Sequence, residues 1–331
     1  MNKYHPRDLQ IFVATRNRLG LLKETLESIL VQSAKGFEII VLDNSTNDET
    51  GIGLKSFAAR GVKYVKTDIN VQLANFKEAQ KFADKKYCIL FHDDDLMHPQ
   101  YIERALECLN KIPNLALVTG RDRGFYTDNP KKFPKNLSEK IIFFENKTDW
   151  GAYLFTRGKA SYAATLYSTK YFKKADLLFD KFEKNHDVPF MIEGALKGAA
   201  AVIYDVDCIH RRQHPQQDCR DASTAIKLDT VFNRGKYFLD LLDGNNKESK
   251  YYRLYHTYAY TNLKDSYGYL PPDFKKQNPW ENFVETLKQR RFLDDEAVFY
   301  GNYRKSVLRR IITASYRVKG YFPTDEHVRY L

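Results

Sequence analysis

The chain has 331 residues, 43% hydrophobic and 29% charged, the proportions of a globular protein with room for one large domain and a smaller one. Its net charge of +11 favours anionic partners: nucleotides, nucleic acid or an acidic membrane surface. The opening MNKYHPRDLQ has no apolar core, so no signal peptide is expected, and no run approaches the roughly 18 apolar residues of a membrane span.

Residues 9–14 (LQIFVA) predict a short buried strand. Thr15, Arg16, Asn17 and Arg18 follow, then a helix with Leu22, Leu26, Ile29 and Leu30 on one face. Residues 37–42 (FEIIVL) predict a second strand, ending in Asp43, Asn44, Ser45 and Thr46. Residues 62–66 predict a third, with Asp68 and Asn70 beyond it and a helix near 73–84. Residues 88–91 (CILF) predict a fourth, which runs straight into His92, Asp93, Asp94 and Asp95. Pro99 then opens an amphipathic helix carrying Ile102, Leu106 and Leu109. Residues 115–119 predict a fifth strand, and 120–150, rich in Lys, Asn and Pro, an excursion from the sheet. Strands alternating with amphipathic helices specify an α/β fold with a mixed, mostly parallel sheet covered on both faces.

In such sheets ligands bind beyond the carboxyl ends of the strands. The polar clusters after the first four predicted strands therefore fall on one rim. Each alone is ordinary turn chemistry; together they predict a polar site. Three adjacent carboxylates repel one another, and a divalent cation with a preference for oxygen ligands, Mn²⁺ or Mg²⁺, relieves that repulsion. Cys88, Cys108, Cys208 and Cys219 lack C-x-x-C spacing, which predicts reduced, mostly buried thiols in a cytoplasmic protein.

Four stretches together resemble the glycosyltransferases of family two, which have the GT-A fold. FVATRNR resembles the family's first-strand signature, and IIVLDNSTNDET its V-D-D-G-S-T-D signature, with Asp43 on the first Asp and Asn44 on the second. TDINVQLANF resembles N-x-G-x-x-x-A-x-N, with Gln72 where Gly is usual. LFHDDDLMHP resembles the D-x-D region, with His92 where an Asp is usual in one register. The resemblance covers roughly residues 7–215. It implies a nucleotide-sugar donor, a UDP-sugar favoured, with Thr15, Asn17 and Asp43 toward the nucleoside and Asn44, Asn70, Asp93 and Asp94 also among the donor-binding residues. Arg16 and Arg18 are placed to approach phosphate, and Arg211 or Arg212 to neutralise the diphosphate. It implies a metal held by Asp94 and Asp95, with His214, or secondarily His210, completing the set. It also implies a general base at Asp187, which opens a helical pattern in FEKNHDVPFMIEGALKG; a helix cap is the alternative reading of that residue. Residues 161–168 resemble the later strand beneath the acceptor site. The Q-x-x-R-W signature of processive synthases is absent, so one inverting transfer per event is expected.

The predicted division is a catalytic domain at 1–220 and a region helical throughout at 221–331. Residues 226–331 hold 19 basic and 13 acidic side chains, so +6 of the net charge lies there. The basic, apolar pattern of 304–322 suggests peripheral contact with the inner face of the plasma membrane, where a lipid-linked saccharide acceptor would be found. Docking on the catalytic domain, acceptor contact or pairing with a second copy are the alternatives. A sugar nucleotidyltransferase would usually show a Gly-rich phosphate loop after the first strand, and TRNRLG is not one. A non-catalytic nucleotide-sugar-binding module is the remaining rival, and no nucleic-acid motif is present.

Overall fold

The computed structural model describes residues 5–67, 74–126, 132–137, 139–157, 160–175, 182, 186–195, 198–214, 237, 240–241, 267–268, 270–289 and 328–330. After a short 3-10 turn the elements run β1 (Leu9–Thr15), α1 (Leu19–Leu30), β2 (Glu38–Asp43), α2 (Glu49–Gly53), α3 (Lys55–Ala58), β3 (Val62–Lys66), α4 (Ala74–Phe82), β4 (Tyr87–His92), β5 (Leu96–Met97), α5 (Tyr101–Lys111) and β6 (Leu115–Tyr126). There follow β7 (Lys140–Phe144), α6 (Lys147–Arg157), β8 (Leu166–Ser168), α7 (Thr169–Phe172), α8 (Asp187–Gly194), β9 (Ala199–Gln213), α9 (Pro272–Gln277), α10 (Trp280–Gln289) and β10 (Val328–Tyr330).

Among the described residues, the ten strands form one sheet in the order β10-β7-β9-β6-β8-β4-β1-β2-β3, with β5 paired to β9. β1 pairs in parallel with both β2 and β4, and β2 with β3; β6 and β9 are also parallel, while β8, β7, β5 and β10 join antiparallel. This is the mixed, mostly parallel sheet expected.

The period-two rule explains why helices cover both faces. Leu9, Ile11 and Val13 of β1 point into one cluster, with Leu22, Leu26 and Ile29 of α1 and Ile102, Ala105 and Leu109 of α5. Phe12 points the other way, into a cluster with Phe76 and Ala79 of α4 and Phe190 of α8. α1 and α5 turn their i, i+3, i+4 apolar stripes to the sheet. Phe283, Val284 and Leu287 of α10 belong to the second cluster.

The chain reverses its direction of growth across the sheet between β3 and β4. It moves outward from β1 through β2 to β3, then crosses back to lay β4 on the other side of β1. The carboxyl ends of β1, β2 and β4 thereby meet, with Thr15 opposite Asp43 and Ala14 opposite His92. A strand-order reversal of this kind opens a crevice for ligands.

Three expectations are corrected. β6 does not stop at residue 119 before an excursion. It runs on to Tyr126, in parallel with β9, through register shifts at Gly120/Arg121 and Arg121/Asp122. Past the bulges Arg121, Asp122 and Arg123 interrupt the apolar pattern, with only Phe125 buried beyond them; Arg121 and Arg123 lie at 4.0 and 3.6 Å from Asp207, and Arg211 at 3.4 Å from Asp122. Within 161–168 only Leu166–Ser168 is strand, because Ala164 and Thr165 N–H groups donate to Ser161 and Tyr162 carbonyls in a turn. The C-terminal region is not helical throughout, since β10 adds a strand to β7. Among the described residues no helix is long and apolar enough to cross a membrane. The basic segment 304–322, Asp68, Asn70 and Gln72 lie outside the described residues.

Candidate active site

The acidic loop after β4 is buried: Asp93 and Asp95 are each 1% exposed and Asp94 is 7% exposed. Carboxylates so placed must be compensated. From the β1 side, the Thr15 hydroxyl donates to Asp93 Oδ2 at 2.6 Å, and the Arg18 guanidinium lies 3.1 Å from Asp93 and 3.5 Å from Asp94. From α1, Thr25 donates to the Asp95 carbonyl at 2.9 Å. From β9, the Arg212 N–H donates to Asp95 Oδ1 at 3.0 Å and its Nε to the Asp94 carbonyl at 2.9 Å. His214 Nε2 lies 3.0 Å from Asp94 Oδ2. β5 pairs Leu96 with His210 and Met97 with Ile209, fixing the far side of the loop to β9.

Compensation is incomplete. Asp95 Oδ2 accepts no hydrogen bond among the described residues. Burial pushes the Asp93 carboxyl up to about 7 against the pull of Arg18, and the Asp94 charge adds to the rise. Burial, reinforced by Asp94, likewise raises Asp95 well above the usual carboxylate range. His92, Asp94 and Asp95 each present a ligand atom, all within 4.8 Å of one another. A buried carboxylate oxygen without a donor, beside a second carboxylate and an imidazole, is a donor set that suits a divalent cation.

The loops after β1 and β2 are stitched together beside this centre. Asn17 sits at φ 54°, a left-handed conformation Asn tolerates. There its N–H donates to Ser45 Oγ at 2.7 Å and its Oδ1 accepts from the Thr46 N–H at 3.0 Å. The Asn44 N–H donates to the Thr15 carbonyl at 3.2 Å, and its side-chain oxygen accepts from Asn75 at 3.3 Å. Asp43 is fully buried; Oδ1 accepts from the Ser45 N–H at 2.8 Å and Oδ2 from the Tyr64 hydroxyl at 2.8 Å, with Lys66 Nζ at 3.4 Å. Burial and that bond to Asp43 raise the Tyr64 phenol.

Asp187 is the first residue of α8, with His186 at the capping position and no capping bond from the His186 side chain. A carboxylate in the first turn is favoured by the helix dipole. Its charge helps raise the buried Tyr162 and Tyr167 phenols, in which burial is the leading cause. The Tyr162 ring links the two halves of the site, with its centroid 5.9 Å from His92 and 5.9 Å from His186.

Thr15, Arg18, Asp93, Asp94, Asp95, Arg212 and His214 thus come together in one network. Asn17, Asp43 and Asn44 form an adjoining one, and the charge of Asp187 reaches the Tyr162 phenol. His210 stacks instead on Phe133, with ring centroids 3.8 Å apart. Sequence reasoning missed Tyr64 and Lys66 on Asp43, Thr25 behind the acidic loop, and Tyr162. Tyr64 and Lys66 are two apart on a predicted strand and so share a face, a signal that was there to read; Tyr162 sits in a turn and had none.

Residues 10–174 match the sequence profile described as glycosyl transferase family 2. An uncharacterized glycosyltransferase of Rickettsia bellii is 22% identical over 220 residues, 65% of this chain and 31% of that protein. One of Haemophilus influenzae is 24% identical over 147 residues, 42% of this chain and 49% of that protein. The matches therefore span half or less of the length of these curated relatives. The crystal structure of Staphylococcus aureus TarS 1-349 superposes with a TM-score of 0.56 at 15% identity, covering 83% of this chain and 78% of that one. The same protein in complex with UDP-GlcNAc gives 0.50 at 14% identity, covering 77% and 80%. The sheet, its strand-order reversal and the family match agree: this chain belongs to glycosyl transferase family 2 and has the GT-A fold.

Proposed function

We propose that this protein moves a single sugar from a nucleoside-diphosphate sugar to a saccharide or lipid-linked saccharide acceptor, with inversion at the anomeric carbon. The observation that carries the reading is the buried acidic loop at the strand-order reversal, with an Asp95 oxygen that no donor among the described residues satisfies. Asp94 and Asp95 would hold Mn²⁺ or Mg²⁺, with a histidine completing the set; His214 lies on Asp94 and His92 beside Asp95. When bound, such an ion neutralises charge building on the departing nucleoside diphosphate.

The chain's own groups do the rest. Thr15, Asn17, Asp43 and Asn44 would receive base and ribose, with Asn70, outside the described residues, as a further candidate for donor binding. Arg18 brings a cation to the diphosphate, and Arg212 keeps the acidic loop in register. Asp187 takes the proton from the acceptor hydroxyl as its oxygen attacks the sugar. The fold shared with TarS, whose structure holds UDP-GlcNAc, supports a uridine nucleotide as the first donor class to test. Peripheral association with the inner membrane face, through the basic C-terminal region, would bring a lipid-linked acceptor within reach.

A thermal-shift screen of nucleotide sugars with and without Mn²⁺ tests donor class and metal dependence together. Stabilisation by one donor only when Mn²⁺ is present is expected; no donor stabilising under either condition would sink the reading. Asp187→Ala should keep donor binding and lower transfer by about 10²–10⁴-fold, the usual share of a general base. Loss of donor binding instead would reduce Asp187 to a structural role.

A further inference from the structure

We infer that a lysine-lined cleft on the rim of the sheet opposite the acidic loop is a second ligand site, which takes a phosphate-bearing anion. Its occupancy does not depend on the proposed transfer reaction. β4 runs from Tyr87 to His92, so its two ends stand about 17 Å apart at roughly 3.3–3.4 Å per residue. The acidic loop follows the carboxyl end. β8 is antiparallel to β4 and pairs Ser168 with Tyr87, which brings the carboxyl end of β8 to the amino end of β4. α7 follows β8 at once. Its Lys170, with Lys173 just past its last turn, lines one cleft with Lys81, Lys85 and Lys86 of the segment that leads into β4. The cleft has a volume of about 600 Å³, within the range of small-ligand sites. Its two walls are tied together: the Thr169 N–H donates to the Lys86 carbonyl at 2.9 Å, and Lys173 Nζ donates to the Ala83 carbonyl at 3.1 Å.

Five ammonium groups line this cleft with one carboxylate, Asp84. Lys81 pairs with Glu78 at 2.9 Å, Lys86 with Asp8 at 3.4 Å, and Lys85 lies 3.8 Å from Asp84. The three lysines are exposed, so these pairs are weak. Lys170 lies over the Tyr171 ring, and neither it nor Lys173 forms an ion pair among the described residues. Like charges gathered in a concave wall repel one another and focus a positive potential, which a bound anion relieves. A hydroxyl completes the donor set. Thr169 lines the cleft, is 7% exposed and lies beside the Cys88 thiol, and its Oγ1 has no hydrogen-bond partner among the described residues. Several ammonium donors and a hydroxyl suit phosphate, which carries more than one charge and accepts from several donors at once. Phe82, next to Lys81, is 40% exposed, so the head group of an anionic lipid is one source of that phosphate and a soluble phosphate compound the other.

The test uses the full chain and two arms. Pyrophosphate is titrated by calorimetry with a chelator present, so that no cation bridges it to the acidic loop. Phosphatidylglycerol vesicles form the second arm, with phosphatidylcholine vesicles as the uncharged comparison. Binding is expected in the native protein, and should fall by at least about tenfold in the double variant Lys85→Gln/Lys170→Gln. Both side chains are exposed, so the fold should survive, and Lys85→Arg/Lys170→Arg should retain binding. Lys35→Gln/Lys55→Gln removes the same charge from outside the cleft and should leave binding near native. Pyrophosphate binding identifies a soluble phosphate compound as the ligand. Vesicle binding sensitive to the cleft pair, without pyrophosphate binding, identifies an anionic lipid. Equal loss in the two glutamine pairs would reduce the effect to net charge and overturn the site. So would binding that Lys85→Gln/Lys170→Gln leaves intact, or no binding in either arm. Donor stabilisation by Mn²⁺ should be unchanged in the cleft pair, so failure of this site leaves the proposed reaction standing.

Discussion

The guanidinium of Arg212 is 2% exposed, donates to the Asp94 carbonyl and to Glu24, and lies over the Phe125 ring at 4.9 Å. Its charge suggested diphosphate, and its surroundings show that it also braces the backbone beneath the aspartates. Arg212→Ala should cost about 2–4 kcal/mol in urea unfolding, mostly from the carbonyl left without a donor and the lost packing. Glu24 is more than half exposed, so that pair adds little. His98 offers a second test at this scale. Its Nε2 meets the Pro134 carbonyl at 2.8 Å, and its Nδ1 accepts from the Gln100 N–H at 3.1 Å. The neutral ring satisfies both, while a protonated Nδ1 would face an N–H. Burial lowers the His98 pKa below its ordinary 6.5, and lowers that of nearby His210 also. The unfolded chain then binds more protons than the folded one below about 6.5. Stability is therefore present above that pH and lost as pH falls through the folded value. Melting temperature should drop between pH 7.5 and 5, and less steeply in His98→Gln.

β9 is the element on which the site depends, because it touches the acidic loop at β5 and through Arg212 and continues into His214. Its entry is tight. A Cβ on Gly198 would lie 2.8 Å from the Ala116 Cβ and 2.9 Å from the Asn114 carbonyl oxygen. Gly198→Ala should therefore push β9 away from β6 and lower stability by about 1–3 kcal/mol, checked by chemical unfolding. Fourteen residues downstream the same displacement would loosen Arg212, so cation affinity should fall with it. The apolar start of β9, AAAVIY, is a strand-sized run that composition alone reads as buried strand. Its continuation is not so read, because Asp207 and Arg211, which pair with charges on β6, stand on either side of buried Cys208 and Ile209, and Arg212 is itself buried, so the alternation by which strands are read is lost. The same holds for β6 beyond Thr119.

At the scale of the molecule, one sheet separates two apolar layers, and α10 joins the layer that contains Phe12 and Phe190. Leu287 is fully buried in it. Leu287→Ala should lower stability by about 2–5 kcal/mol, within one cooperative unfolding transition if α10 folds together with the sheet; two separate transitions would show independent units. The proposed membrane role makes its own prediction. The full chain should float with anionic vesicles at low salt and be released as salt screens the basic region. Failure to bind at low salt would remove the membrane from the proposal.

By itself the sequence determined the α/β class, the first four strands in their succession along the chain, and the rim on which Thr15, Asn17, Asp43 and the three aspartates gather. It could do so because buried strands and amphipathic helices are local patterns, and because parallel strands carry their carboxyl ends to one side. It also put His92 at the start of the acidic loop, but not its relation to Asp95. What only the tertiary structure decided is the division of labour among like residues: Asp93 bonded by Thr15 and Arg18, Asp95 with one oxygen that no described residue satisfies, Asp94 held by His214, 120 residues away just beyond β9. Those differences arise from contacts between distant segments. Three identical side chains in a row carry no local sign of which neighbour each will meet.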